Sequence, residues 1–211
     1  MFAQNEILVF TPGRRQEGLD RLAWIHSLMQ THPGFIEAFV AKYLGDGTRY
    51  TIMRFWQDEA AYQAFRASPD GGFGKSRPEG LYVNEPVITP LVGYGEYSNP
   101  AESGNFLVKI QADIEPSAWD AFLAHQKVMM LNAPKVPGLV WDRQMRGKNV
   151  DTIVGSARLS SREAFEDLLE SPAYLQLLAD MPAGVRLVRV ECFEVISDVG
   201  PSDAARVAGT S

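Results

Sequence analysis

The chain has 211 residues, 45% of them hydrophobic and 22% charged, with a net charge of −6. This is the make-up of a soluble globular protein with one large domain or two of about 100 residues each. An acidic balance without a basic run excludes a nucleic-acid partner held through phosphates, and no stretch nears the ~20 apolar residues of a membrane span.

The opening MFAQNEILVF lacks a basic region followed by a long apolar one, so no signal peptide is expected and the location reads as cytoplasmic. ILVF (7–10) reads as a strand and 14–31 as a helix. At 100° per residue Leu19, Leu22, Ala23, Ile25 and Met29 form one stripe, and His26 falls inside it. A neutral imidazole there, with a pKa near working pH, suits a general base. The plainer alternative is a buried histidine bonded to a backbone carbonyl. Trp24 and Leu28 occupy the opposite face, where an exposed pair suggests a protein contact such as a dimer of the fused chains, the alternative being cover by the C-terminal tail or a neighbouring loop. His32 reads as a helix-end residue.

A Pro33-Gly34-Phe35 turn follows, then strands over 35–44 and 48–57 and a helix over 59–69. Next comes DGGFGKS (70–76), which looks like the end of the phosphate-binding pattern G-x-x-x-x-G-K-[ST]. Pro69 stands where the first glycine belongs, and a helix precedes the loop instead of a strand, so a nucleotide site is rejected. Residues 70–81 read instead as a Gly/Pro loop, with Phe73 as a lid or as a partly packed surface residue. A strand over 83–97 ends this half.

The same order then recurs. FLVKI (106–110) is a strand, 116–133 a helix with His125 at its boundary or surface, and Pro137-Gly138-Leu139 a turn. Strands over 139–146 and 151–159, helical stretches over 162–172 and 173–184, and a strand over 185–195 complete it. The Ser-Pro pairs at 68–69 and 171–172 and the Pro-Gly pairs at 33–34 and 137–138 give shifts of 103 and 104 residues. The chain is therefore β-α-β-β-α-β twice, an α+β fold of two tandem ferredoxin-like repeats. The domains are a first repeat over 1–98, a linker over 99–104, a second repeat over 105–199 and a flexible tail over 200–211. The only cysteine, Cys192, reads as a buried thiol, and with three histidines the chain offers no soft-metal set.

The opening strand, the Pro-Gly-Phe turn and above all RYTIMRFWQDEAAYQAFRASP (49–69) resemble the antibiotic-biosynthesis monooxygenase family of the dimeric α/β-barrel superfamily, here as a tandem fusion of two copies. The resemblance implies two sheets packed face to face as an intramolecular barrel. It implies a cofactor-independent monooxygenase acting on an electron-rich aromatic of the quinol, anthrone or polyketide kind, with molecular oxygen as partner and no metal. The alternatives are a non-catalytic binding or structural protein on the same fold, or a non-oxidative isomerase or cyclase. By strand alternation Tyr50, Ile52, Arg54 and Trp56 share one face, and the resemblance puts that face on the substrate cavity. Trp56 would stack on a ring or serve as core, and Arg54 would stabilise an oxyanion or form a salt bridge. Ile52 stands where the anthrone branch carries Asn. In the second repeat Leu159 replaces Trp56 and Met130 replaces His26, so repeat one is the presumed working half. The haem-degrading relatives need an axial histidine on or after the second helix, and 59–82 and 162–184 have none.

Overall fold

The computed structural model describes residues 1–73, 77–148, 151–200 and 202. The Gly74-Lys75-Ser76 segment, the Phe73 side chain proposed as a lid and most of the 200–211 tail lie outside the described residues. The first run of elements is β1 (Phe2–Val9), α1 (Arg15–Met29), β2 (Phe35–Tyr43), β3 (Arg49–Trp56), α2 (Glu59–Ala67), α3 (Pro69–Phe73) and β4 (Val87–Ser98). The second is β5 (Phe106–Ile114), α4 (Trp119–Asn132), β6 (Leu139–Gly147), β7 (Thr152–Leu159), α5 (Arg162–Glu170), α6 (Pro172–Ala179) and β8 (Val185–Val199). The expected β-α-β-β-α-β order appears twice, with the second helix broken in two each time.

The chain packs as two compact units. Unit 1 is Met1–Leu91 with the chain from Val195, and unit 2 is Val92–Glu194, so β4 and β8 each contribute to both. In unit 1 the strand order is β1-β3-β2, with both pairings antiparallel. In unit 2 it is β8-β5-β7-β6, again with antiparallel pairings.

Matched capping explains why the repeats fold alike. Asp58 accepts a bond from Ala61 N at 2.8 Å to start α2, and Ser161 does the same from Ala164 N at 3.2 Å for α5. Gly34 and Gly138 take positive φ values of 79° and 72°, which only glycine adopts without strain, and so turn the chain into β2 and β6. Each then accepts a bond at 2.7 Å, from Gln57 N and Ser160 N respectively.

Two sequence expectations shift. Residues 70–73 are helical, not loop, because Ser68 Oγ accepts from Gly71 N at 3.2 Å and Pro69 opens a new turn. Ser171 and Pro172 do the same at the start of α6, where Tyr174 N donates at 3.3 Å. Strand β1 begins at Phe2 instead of residue 7, because the polar stretch Gln4-Asn5-Glu6 pairs along its whole length with Arg54, Met53 and Ile52 of β3 in that order.

Gly18 in the middle of α1 is a close-approach residue. A Cβ there would overlap the Phe10 ring, which packs in the cluster holding Leu22, Tyr50 and Leu81. Helix propensity alone favours Gly18→Ala by about 1 kcal/mol, but overpacking costs about 1–3 kcal/mol. The variant is expected to be less stable by urea denaturation, and a gain would mean that the ring moves freely.

Candidate functional site

In the β1–β3 register Phe2 faces Trp56, Gln4 faces Arg54, Glu6 faces Ile52 and Leu8 faces Tyr50. Alternation sends these side chains to one side of the sheet, the side on which α1 and α2 pack. Two apolar clusters fill that layer. One joins Trp56 to Phe2, Met29, Phe35, Tyr62 and Phe65, and the other joins Tyr50 and Ile52 to Leu8, Phe10, Leu22 and Leu81. Four buried polar residues, Gln4, Glu6, His26 and Arg54, come from the β1, β3 and α1 stretches that supply both clusters.

Arg54 Nη1 donates to Glu6 Oε2 at 2.7 Å, and both side chains are only 7% exposed. Arg77 Nη2 stands 3.7 Å from the other oxygen, Glu6 Oε1. Gln4 Nε2 donates to the Tyr62 hydroxyl at 2.7 Å. His26 is 1% exposed, and its Nε2 has no hydrogen-bond partner. Burial, and then the Arg54 charge, hold the His26 pKa well below its usual 6.5. The imidazole is thus neutral at neutral pH, and less basic than an unperturbed histidine. Arg54 Nε and Trp56 Nε1 are likewise buried without partners.

The structure therefore brings together Arg54 and His26 of the sequence-predicted residues. Trp56 lies in the adjoining apolar cluster, fully buried, with its ring stacked on Phe65 at 5.3 Å and 29°. One face of the indole is thus already taken. Tyr50 sits in the other cluster, 5.0 Å from the Phe10 ring. Arg54 forms the salt bridge that the sequence offered as one of its two roles, and it does so buried and not at the surface. His32 pairs with Asp70 of α3 at 3.0 Å. His125, expected at the boundary or surface, is 9% exposed, with Nε2 at 2.8 Å from the Leu177 carbonyl oxygen of α6. Helix α6 covers it, and the apolar stripe of α4 alone could not reveal that cover. Trp24 is 42% exposed, as its place opposite His26 implies, whereas Leu28 of the expected exposed pair is half-buried.

Sequence reasoning missed Gln4, Glu6, Tyr62 and Arg77. A signal was present for two of them: in FAQNEILV the alternate residues run Phe2, Gln4, Glu6, Leu8, which puts a polar pair mid-way along a core-facing stripe. Elsewhere, a depression of about 530 Å³ in unit 2 is lined by Asp113, Glu115, Asp151, Thr152, Gly184 and Arg186. Two of its three carboxylates are already matched, Asp113 with Arg186 and Asp151 with Arg146. Among the described residues no group of three or more metal-ligating side chains converges, and no helix is long and apolar enough to cross a membrane.

Residues 1–70 match the family model for antibiotic biosynthesis monooxygenase, a span that holds Glu6, His26, Arg54 and Trp56. The structure is similar to that of a candidate monooxygenase from Fusobacterium nucleatum subsp. nucleatum, with a TM-score of 0.78, 11% identity and 94% of each chain covered. It is similar to another from Lactobacillus acidophilus, at 0.72 and 10%, over 94% of this chain and 95% of that one. An anthrone oxidase-like protein matches at 0.64 and 13%, over 96% of this chain and 94% of that one. At such identities the common ground is the fold. The sequence matches no curated protein.

Proposed function

We propose, with residues 1–70 as an antibiotic biosynthesis monooxygenase domain, that unit 1 binds an electron-rich aromatic of the quinol or anthrone kind. It would oxygenate that ligand with molecular oxygen and no bound cofactor. The observation that carries this reading is the set of three buried, unpartnered polar atoms, His26 Nε2, Arg54 Nε and Trp56 Nε1. Each costs about 1–3 kcal/mol when left unpaired, and a hydroxylated ring seated among them removes that cost.

Triplet oxygen reacts slowly with closed-shell organic molecules, but the anion of such a ring can give it one electron directly. His26, neutral in the free protein, has a lone pair ready for the ring's proton. The negative charge left on the ligand oxygen is held by the Arg54 guanidinium, in surroundings from which water is excluded. The new imidazolium and the oxyanion form a pair, which offsets the burial that makes His26 a weak base alone. After electron transfer the ring radical and superoxide join in a C–O bond. Loss of a second C–H proton then breaks the O–O bond. A ring CH₂ and O₂ thus become a carbonyl and water. Trp56 supplies an aromatic edge and its N–H to the ligand. We assign a homodimer contact of the fused chain to the exposed Trp24 on α1.

The test is oxygen uptake by chelator-treated protein over a panel of hydroquinones and anthrones. His26→Met copies the residue that the second repeat carries at this place, and it is expected to lower uptake by about 100-fold or more while leaving the fold intact. Trp56→Phe is expected to raise KM more than it lowers kcat. Uptake unchanged in His26→Met would sink the reading. Turnover that proceeds without oxygen would favour the isomerase alternative, which needs the same base.

A further inference from the structure

The second repeat does not simply lose the polar groups of the first. Register places Ala157 of β7 where unit 1 has Arg54, and Gly155 where it has Ile52. Opposite Ala157 on β6 stands Asp142, whereas Ala38 stands opposite Arg54 in unit 1. Asp142 is 9% exposed and Ala38 0%. An alanine therefore satisfies this place in the fold, and a buried carboxyl without a cation beside it costs several kcal/mol. The second repeat retains one all the same.

What surrounds Asp142 is polar and incomplete. Gln144 Nε2 donates to Asp142 Oδ1 at 2.7 Å. The Gln144 amide lies over Gly155, where an added Cβ would come within 3.0 Å of Oε1. Gly95 of β4 borders both Gln144 and Met130, each 3.6 Å from where its Cβ would be. The neighbouring Tyr94 hydroxyl is buried with no hydrogen-bond partner, as is Gln126 Oε1 on α4. Burial, and then the Asp142 charge, raise the pKa of both Tyr94 and Tyr174 of α6, so the field of the carboxyl reaches phenols on β4 and α6. Burial pushes Asp142 itself up to about 7, against the pull of the Gln144 bond. A buried carboxyl poised near neutrality can give or take a proton at working pH.

We propose that unit 2 carries its own proton-exchanging small-molecule site, in which Asp142, Gln144 and Tyr94 bind the hydroxyl of a phenol or enol. The ligand hydroxyl fills the missing partner of Tyr94 and shares its proton with Asp142. The site is independent of His26 and of the oxygen chemistry proposed for unit 1.

The experiment uses the full chain carrying His26→Met, so that unit 1 has no base near the probe, and 4-nitrophenol as the ligand. Calorimetry in two buffers of different ionisation enthalpy counts the protons exchanged per probe bound, and the probe's phenolate absorbance reports its own state. Binding with proton exchange is expected. Adding Asp142→Asn, which keeps the shape, should abolish the exchange, and adding Tyr94→Phe should weaken binding by about 10-fold, the loss of one hydrogen bond to a charged group. No binding in the His26→Met chain, or exchange that survives Asp142→Asn, overturns the proposal. Failure here leaves oxygen uptake by the wild-type chain untouched, so the two readings fall separately.

Discussion

Arg54→Met is expected to cost about 3–5 kcal/mol of unfolding free energy, the usual result of removing one partner of a buried ion pair. Glu6 and Arg54 are each 7% exposed and meet at 2.7 Å, so water cannot take the place of the lost guanidinium. Arg77 is too far for a hydrogen bond, at 3.7 Å, and is shared with Glu85, so it compensates only in part. A loss of this size is a large fraction of the 5–15 kcal/mol that holds an ordinary domain together. The matching change Glu6→Gln in the Arg54→Met chain removes the stranded charge and should return most of the stability. A double-mutant cycle by urea denaturation gives the coupling; additive effects would mean that the pair is screened and its burial unimportant. The same substitution has a second readout. Burial is the first cause holding His26 below its usual range and the Arg54 charge the second, so Arg54→Met should move the imidazole titration upward by NMR while burial still keeps it below 6.5.

Different parts of this molecule were legible in the sequence for different physical reasons. The doubled order of elements rests on local chemistry: Pro-Gly turns, Ser-Pro breaks and capping side chains act within a few residues, and the printed sequence carries them. His26 was legible because one helical period places it among Leu22 and Met29. Its low pKa was not, since that depends first on burial in the packed unit and then on the charge of Arg54, which lies on a different element. Glu6 was missed because its partner is 48 residues away, and only the strand register joins them. Asp142 of repeat two was passed over for a related reason. Met130 and Leu159 stand in for His26 and Trp56 along the aligned sequence, but Asp142 aligns with an alanine, and a comparison anchored on the first repeat's residues passes over a group gained in the second.

Asp142→Asn should therefore separate the two units by their response to pH. Asp142 has a folded pKa of about 7 against 3.8 for the free side chain. From about pH 4 to 7 the folded chain keeps a proton that the unfolded chain has lost, so stability is full below this window and falls as pH rises through it. At about 1.4 kcal/mol per pH unit, some three units amount to about 4 kcal/mol lost by pH 8. His26 acts with the opposite sign. Its folded pKa lies well below 6.5, so the unfolded chain binds the extra proton and stability falls as pH drops below about 6.5. The wild-type profile mixes both slopes, and its maximum alone identifies neither group. The difference between Asp142→Asn and wild type isolates one of them, because His26 cancels. That difference should be near zero at pH 4, where the protonated carboxyl and the amide are close in shape and charge, and should grow to about 4 kcal/mol in favour of the variant by pH 8. Chemical denaturation at five or six pH values measures it. A flat difference would mean that Asp142 ionises as a solvated carboxylate does, and that its burial beside Gln144 is relieved in solution. A rising difference makes Asp142 a group kept at a cost to stability, and a change that raises stability while it removes proton exchange is the mark of a site selected for chemistry over packing.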